Sequence, residues 1–338
     1  MSTPHTRALV RPTRRVCGSS ARFNVDARRS AAAVGGIALA VLAFPQTAAA
    51  HGIVGRADLP IPAQRRRMAR MNALMPAPRG VTCEAAVCGN VPGEFVTGRS
   101  ASPVDRAVLY LHGGGYCMGS PASHRAITGD LAVRFGARVF AADYRLAPEA
   151  PFPAAVDDAV EAWRGLLAEG FVPGASVIAG DSAGGGLAVA ATLRLREMGL
   201  PMPAALVLFS PWGDLGLGSL GEPPRGEVLL SRPWLEGCAR AYLAGGRADD
   251  PLASPVLADL RGLPPTLIQA GTDELLLPDA RRLHAAMTDA GVDAELQVYP
   301  GCWHAFQLHA GMLADADRAL AAAGTFISAR TPAAIVAT

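Results

Sequence analysis

Residues 178–193 read IAGDSAGGGLAVAATL. The apolar run SVIAG (176–180) leads in, and an alanine-rich run leads out. Between them Ser182 stands in the pattern G-x-S-x-G, made by Gly180, Asp181, Ser182, Ala183 and Gly184. Small neighbours permit a sharp turn that bulky ones would block. A strand that passes through such a turn directly into a helix lifts the serine hydroxyl above the sheet edge. The free N–H groups of the helix start face the same place. The stretch therefore predicts a strand–turn–helix joint with a nucleophile at its bend.

Working outward, apolar strands are expected at RAVLYLH (106–112), ARVFAADY (137–144), AALVLFS (204–210), PTLIQAG (265–271) and AELQVYP (294–300). VTCEAAVCG (81–89) and GEFVTG (93–98) add two more, which with SVIAG makes eight. Helical segments fall at 122–135, 151–169, 183–199, 278–290 and 310–328. Buried strands alternating with helices predict an α/β fold, a mostly parallel sheet covered on both faces. Residues 213–252 break the alternation with many Gly and Pro and one helix around 232–243. Ligands in such folds bind at the carboxyl ends of the strands, so this insertion is placed to act as a lid. Before the sheet, ADLPIPAQRRRMARMNALMP (57–76) reads as a helix with a solvated arginine face.

The 338 residues are half hydrophobic and 18% charged, with a net charge of +2 and few aromatics. A large core is expected, and nucleic acid is not an implied partner. The first fifty residues differ. Arg28 and Arg29 precede an apolar run from Ala31 to Phe44 and a small-residue site at Ala48–Ala50. This reads as a secretory signal peptide over 1–50, with a centre too short to span a membrane. Export is the expectation, with a cytoplasmic chain as the alternative. Cleavage would leave five of the six cysteines, and Cys83 and Cys88 stand close enough in sequence to bridge in an oxidising compartment. No CxxC pair exists, and His304 and His309 lack the HExxH spacing of a helical metal site. No cofactor or metal is expected.

A serine nucleophile needs a base, and in this strand–turn–helix arrangement acid and then histidine follow the serine. His284 falls inside a helix and His309 at the start of one. His304, in YPGCWHAF (299–306), follows the last strand and is the candidate base. The acid should follow another strand, and LIQAGTDELLLPD (267–279) offers Asp273, Glu274 and Asp279. Asp273 comes first in the turn and is preferred, with Glu274 as the adjacent rival. Its part would be to hold the imidazole tautomer and stabilise the imidazolium. LYLHGGGYCMGS (109–120) sets His112-Gly113-Gly114-Gly115 directly after a strand. Glycines there let backbone N–H groups approach a developing oxyanion.

HGGGYCMGS (112–120), DYRLAPEAPFPAAVDDAV (143–160), AGDSAGGGLA (179–188), DPLASPV (250–256), GLPPTLIQAGTDELLLPDA (262–280) and YPGCWHAF occur in one order. With them the chain resembles the hormone-sensitive-lipase-like α/β-hydrolases, especially the GDSAG bacterial esterases, over roughly residues 56–330. The resemblance implies a triad of Ser182, Asp273 and His304. It implies an oxyanion hole from the N–H groups of Gly114, Gly115 and Ala183. It assigns structural places to Asp143, Tyr144, Arg145, Pro148, Glu149 and Asp157. It divides the chain into the signal, a hydrolase domain over 51–330 and a tail over 331–338, with a cap from 51–80 and 213–250.

Tyr116 is then a candidate substrate-binding residue, and Trp212, Leu215, Trp234 and Tyr242, in or beside the insertion, are either pocket walls or lid core. The implied activity is serine carboxylic-ester hydrolysis of soluble short- to medium-chain acyl esters by a monomer or homodimer. A lactone hydrolase or an N- or O-deacetylase of a small metabolite is the alternative. A relative that binds a small ligand without hydrolysing it is the alternative of another class, and such relatives usually lack a triad member.

Overall fold

The computed structural model describes residues 56–73, 78–99 and 106–331. The expected signal segment 1–50, with Cys17, and residues 332–338 of the expected tail lie outside the described residues. Eight strands form one sheet: β1 (Val81–Cys88), β2 (Val91–Gly98), β3 (Ala107–Leu111), β4 (Arg138–Ala142), β5 (Val177–Asp181), β6 (Ala205–Phe209), β7 (Thr266–Gly271) and β8 (Ala294–Tyr299). Their order is β1-β2-β4-β3-β5-β6-β7-β8. β2 pairs antiparallel with both β1 and β4, and every other pairing is parallel. The expected α/β architecture, an eight-stranded mostly parallel sheet, is what the chain adopts.

The central strands β3, β5, β6 and β7 are buried at every residue, and their sequences are accordingly mostly apolar, without a polar face. Side chains still alternate between faces. Leu109 and Leu111 join Trp163, Leu187 and Leu283 on one face, where α3 (Ala154–Ala168), α4 (Ala183–Glu197) and α6 (Leu277–Asp289) pack. Val108 and Tyr110 join Leu131, Leu320 and Ile327 on the other, under α2 (Arg125–Phe135) and α7 (Ala314–Arg330). Nearly all of α4 is buried. Its first turn presses on β3 so closely that a Cβ on Gly184 would lie 2.0 Å from the Leu111 carbonyl oxygen. Only glycine allows that approach.

The two expected cap segments each carry a helix, α1 (Ile61–Asn72) and α5 (Arg232–Leu243), and the two touch. The Trp234 indole N–H donates to Gln64 Oε1 at 2.8 Å. Arg66 and Arg70 are exposed as expected, but Arg65 is not part of a solvated face. Its guanidinium donates to the carbonyls of Cys117 and Ala147, both at 2.7 Å, and pairs with Glu149.

Three further expectations change. Cys83 and Cys88 occupy one strand five positions apart, so their side chains leave opposite faces about 16 Å from each other. They are free thiols, Cys83 exposed and Cys88 buried. The last helix begins at Ala314, not 310, because Gly311 turns the chain at φ 77. His309 closes a 3₁₀ turn over Phe306–His309 and does not begin the helix. Arg145 pairs with Asp158 (2.7 Å), and Asp157, given a supporting place by the resemblance, is exposed at the start of the same helix. Among the described residues no helix is long and apolar enough to cross a membrane.

Candidate active site

Ser182 joins β5 to α4 with φ 53 and ψ −123. Its N–H donates to the Phe209 carbonyl at 2.8 Å, and its carbonyl accepts from Trp212 N at 2.9 Å. The loop after β6 therefore grips the bend from both sides. Tyr116, Ser210 and Ala305 also hold positive φ without being glycine. All three lie in loops that follow strand carboxyl ends, where strained backbone commonly serves a site.

Asp181 sits buried beneath the bend. It accepts from the Tyr110 hydroxyl at 2.7 Å and from Gly113 N at 2.9 Å, and lies 3.3 Å from His124 Nε2. Burial opposes its charge, but His124 and the Tyr110 hydrogen bond hold the carboxyl below the usual aspartate value. Burial likewise opposes charge on His124, and Asp181 overcomes it to raise that imidazole. This pair ties the HGGG loop to the serine bend. His112 is different. Burial and the neighbouring His124 push it down to about 3, so it is neutral, and its Nδ1–H meets the Gly113 carbonyl at 2.8 Å. Tyr144 stacks on its ring at 4.3 Å and donates to its carbonyl at 2.6 Å.

Gly114 has φ 116, and a Cβ there would lie 2.3 Å from the Met118 carbonyl oxygen. Gly113 has committed its N–H to Asp181. Among the described residues no protein group accepts from the N–H of Gly114, Gly115 or Ala183. Ala183 opens α4, so the partial positive charge of the helix start adds to its N–H.

His304 lies in the loop after β8, 3% exposed, and Glu274 in the turn after β7, 1% exposed. His304 Nδ1 is 3.8 Å from Glu274 Oε2. Ser210, at the end of β6, donates its hydroxyl to that same Oε2 at 2.5 Å and accepts from Ala305 N at 3.1 Å. Burial lowers His304 to about 4. Burial raises Glu274 to about 8, against hydrogen bonds from Ser210 and the Gly271 backbone. Glu274 Oε1 and His304 Nδ1 are buried with no protein hydrogen-bond partner among the described residues.

The expectation for Asp273 therefore changes. The turn points its carboxylate toward the Thr272 hydroxyl (3.0 Å) and against Gly226, and Glu274 is the residue that faces the imidazole. Asp279 is elsewhere. It accepts from Gly213 N (2.6 Å) and Asp214 N (2.9 Å) and anchors the start of the insertion. His284 contacts the Ala294 carbonyl, and His309 packs edge-on against Trp303, so neither reaches this group.

Tyr116, Trp212, Leu215, Trp234 and Tyr242 are all buried. Tyr116 stacks on Tyr242 at 3.9 Å, and Trp212 donates to the Asp214 carbonyl. Trp234 packs over Gly115. Of these five, only Trp234 also lines a pocket of about 290 Å³ between α1 and α5, with Leu59, Ile61, Gln64 and Cys238. Ser210 is a member of the site that no motif marks. Its only sequence signal is a hydroxyl at a strand end. Among the described residues no His, Cys, Asp and Glu cluster could hold a metal ion.

Residues 108–308 match a family described as the alpha/beta hydrolase fold. An acetyl-hydrolase of Streptomyces hygroscopicus is 45% identical over 250 residues, 73% of this chain and 83% of that one. An esterase of Acinetobacter venetianus is 38% identical, covering 68% of this chain and 77% of that one. A crystal structure described as an esterase from the bacterial hormone-sensitive lipase family superposes with a TM-score of 0.79 at 38% identity, over 88% of this chain and 97% of the other. With its eight-stranded sheet, its G-x-S-x-G bend and these relatives, the chain belongs to the hormone-sensitive-lipase-like family of α/β-hydrolases.

Proposed function

We propose that the protein is a serine carboxylesterase whose triad is Ser182, His304 and Glu274. Ser182 Oγ attacks the ester carbonyl carbon while His304 takes its proton. Glu274 orients the imidazole and stabilises the imidazolium. The N–H groups of Gly114, Gly115 and Ala183 receive the oxyanion. The tetrahedral intermediate collapses, and the C–O bond to the alcohol breaks as His304 returns the proton to it. Water then repeats the sequence on the acyl-Ser182 ester and releases the acid. The observation that carries this reading is Ser210, which binds Glu274 Oε2 and the residue after His304 from the loop that also grips Ser182.

Short- to medium-chain acyl esters are the proposed substrates. Hydrolysis of p-nitrophenyl esters from acetate to decanoate tests this. Activity greatest at acetate to hexanoate is expected, and activity confined to decanoate would overturn the acyl range. The acetyl-hydrolase name of the 45% identical relative favours a second reading, removal of an acetyl group from a small metabolite. Acetate release from acetylated amines, at rates above those for acetate esters, would select it.

The pH profile has a defined sign. Catalysis requires ionised Glu274 and neutral His304. Burial lowers His304 to about 4, so its neutral form is present throughout the neutral range. Burial raises Glu274 to about 8, so its ionised form grows with pH. Activity should therefore climb from about pH 6, pass half-maximum near 8 and level off about one unit above that. A profile already flat at pH 6 would contradict it.

A further inference from the structure

Glu227 lies in the insertion, 48 positions before Leu275, and is fully buried. One carboxylate oxygen accepts from Leu229 N at 2.8 Å and Leu230 N at 3.0 Å. The other accepts from Leu275 N at 2.8 Å. Leu275 is the residue directly after Glu274. The residue before Glu227 makes a second contact with the same turn. A Cβ on Gly226 would lie 2.2 Å from Asp273 Oδ2. Gly226 and Glu227 therefore hold both neighbours of Glu274 from the cap side, while Ser210 holds its carboxylate from the sheet side.

A surface loop does not need a buried carboxylate. Removing its charge from water is expensive, and three N–H donors are what make it tolerable. The start of the insertion is already secured by Asp279. The Glu227 contact goes instead to the peptide directly after Glu274, whose movement would carry Glu274 away from His304. Displacements of about 1 Å at such a group can lower rates about 100-fold.

We propose that Glu227 is a positioning residue that fixes the Glu274 turn and so couples the seating of the cap insertion to the triad. The proposal rests on Glu274 being the triad acid. Among the described residues three titratable groups face Glu274: His304 and Cys302 from the loop after β8, and Glu227 from the insertion. The charge of Glu227 adds to burial in raising Glu274.

The test is Glu227→Gln in the full chain. The glutamine oxygen can serve Leu229 and Leu230, but its NH2 then meets the Leu275 N–H, donor against donor. Plateau kcat for p-nitrophenyl acetate is expected to fall about 10- to 100-fold with KM within about 2-fold. The rising limb of the pH profile should move down by about 0.5 unit, because a negative neighbour has gone. A loss of thermal stability alone would move neither.

A folded Glu227→Gln enzyme with wild-type kcat and limb overturns the proposal. If that variant does not fold, Glu227→Asp, which keeps the charge but withdraws the carboxylate, should lower kcat and leave the limb in place. Independently, the Leu275 amide of the wild-type protein should be among the slowest to exchange with deuterium, and fast exchange there overturns the proposal. Glu274→Gln run beside these variants separates the two readings. If it is inactive while Glu227→Gln is normal, only the role of Glu227 fails. If it is active, the acid assignment fails and this proposal with it.

Discussion

Ser182→Ala is expected to lower kcat/KM for p-nitrophenyl acetate by about 10,000-fold or more while the protein stays folded. The change removes one oxygen and keeps the Cβ, so the bend at φ 53 is strained no further. The main-chain bonds that hold the bend, from Ser182 N to Phe209 and from Trp212 N to the Ser182 carbonyl, do not involve the hydroxyl. Its midpoint of thermal unfolding should therefore lie within about 3 °C of the wild-type value. What activity remains would come from binding and from the Gly114, Gly115 and Ala183 N–H groups alone. A folded Ser182→Ala protein that keeps a tenth of the wild-type rate would remove the serine from the mechanism. It would turn attention to the small-ligand-binding alternative.

The second large effect separates two adjacent carboxylates. Glu274→Gln should lower kcat by about 1,000- to 10,000-fold, because an amide can hold neither the required tautomer nor the imidazolium. Asp273→Asn should change kcat by less than about 5-fold. Asp273 lies against Gly226 and the Thr272 hydroxyl, away from His304, and neither contact depends on its full charge. Steady-state kinetics on the two purified variants decides between them. Severe loss in Asp273→Asn with an active Glu274→Gln would return the acid to Asp273 and refute the Glu274 assignment.

These two carboxylates also show where sequence reasoning ends. That an acid follows β7 was legible, since the strand itself is an apolar run bounded by glycine. Which of two neighbours turns toward the imidazole was not. In a turn, consecutive side chains leave in directions set by the backbone, and that backbone is held by partners far along the chain. Asp273 N is bound to the Cys302 carbonyl, Leu275 N to Glu227, and the Glu274 carboxylate to Ser210. Arg145 repeats the pattern, because only the packed start of α3 decides that Asp158 and not Asp157 meets it. Arg65 does so as well, since an arginine on an amphipathic helix gives no sign that two buried carbonyls await it.

By itself the sequence determined the alternation of strands and helices and the sharp bend at Ser182. It also placed the glycine-rich loop and His304 each after a strand. All of these rest on short-range causes: side-chain periodicity, the steric permissiveness of glycine, and the hydrogen-bonding needs of a helix start. Only the tertiary structure decided which carboxylate faces His304, that Ser210 bridges them, that Glu227 reaches Leu275 and that Cys83 and Cys88 point apart. Those outcomes depend on side-chain directions and on contacts between positions tens of residues apart. No local pattern encodes such contacts until the sheet has brought the strand ends together.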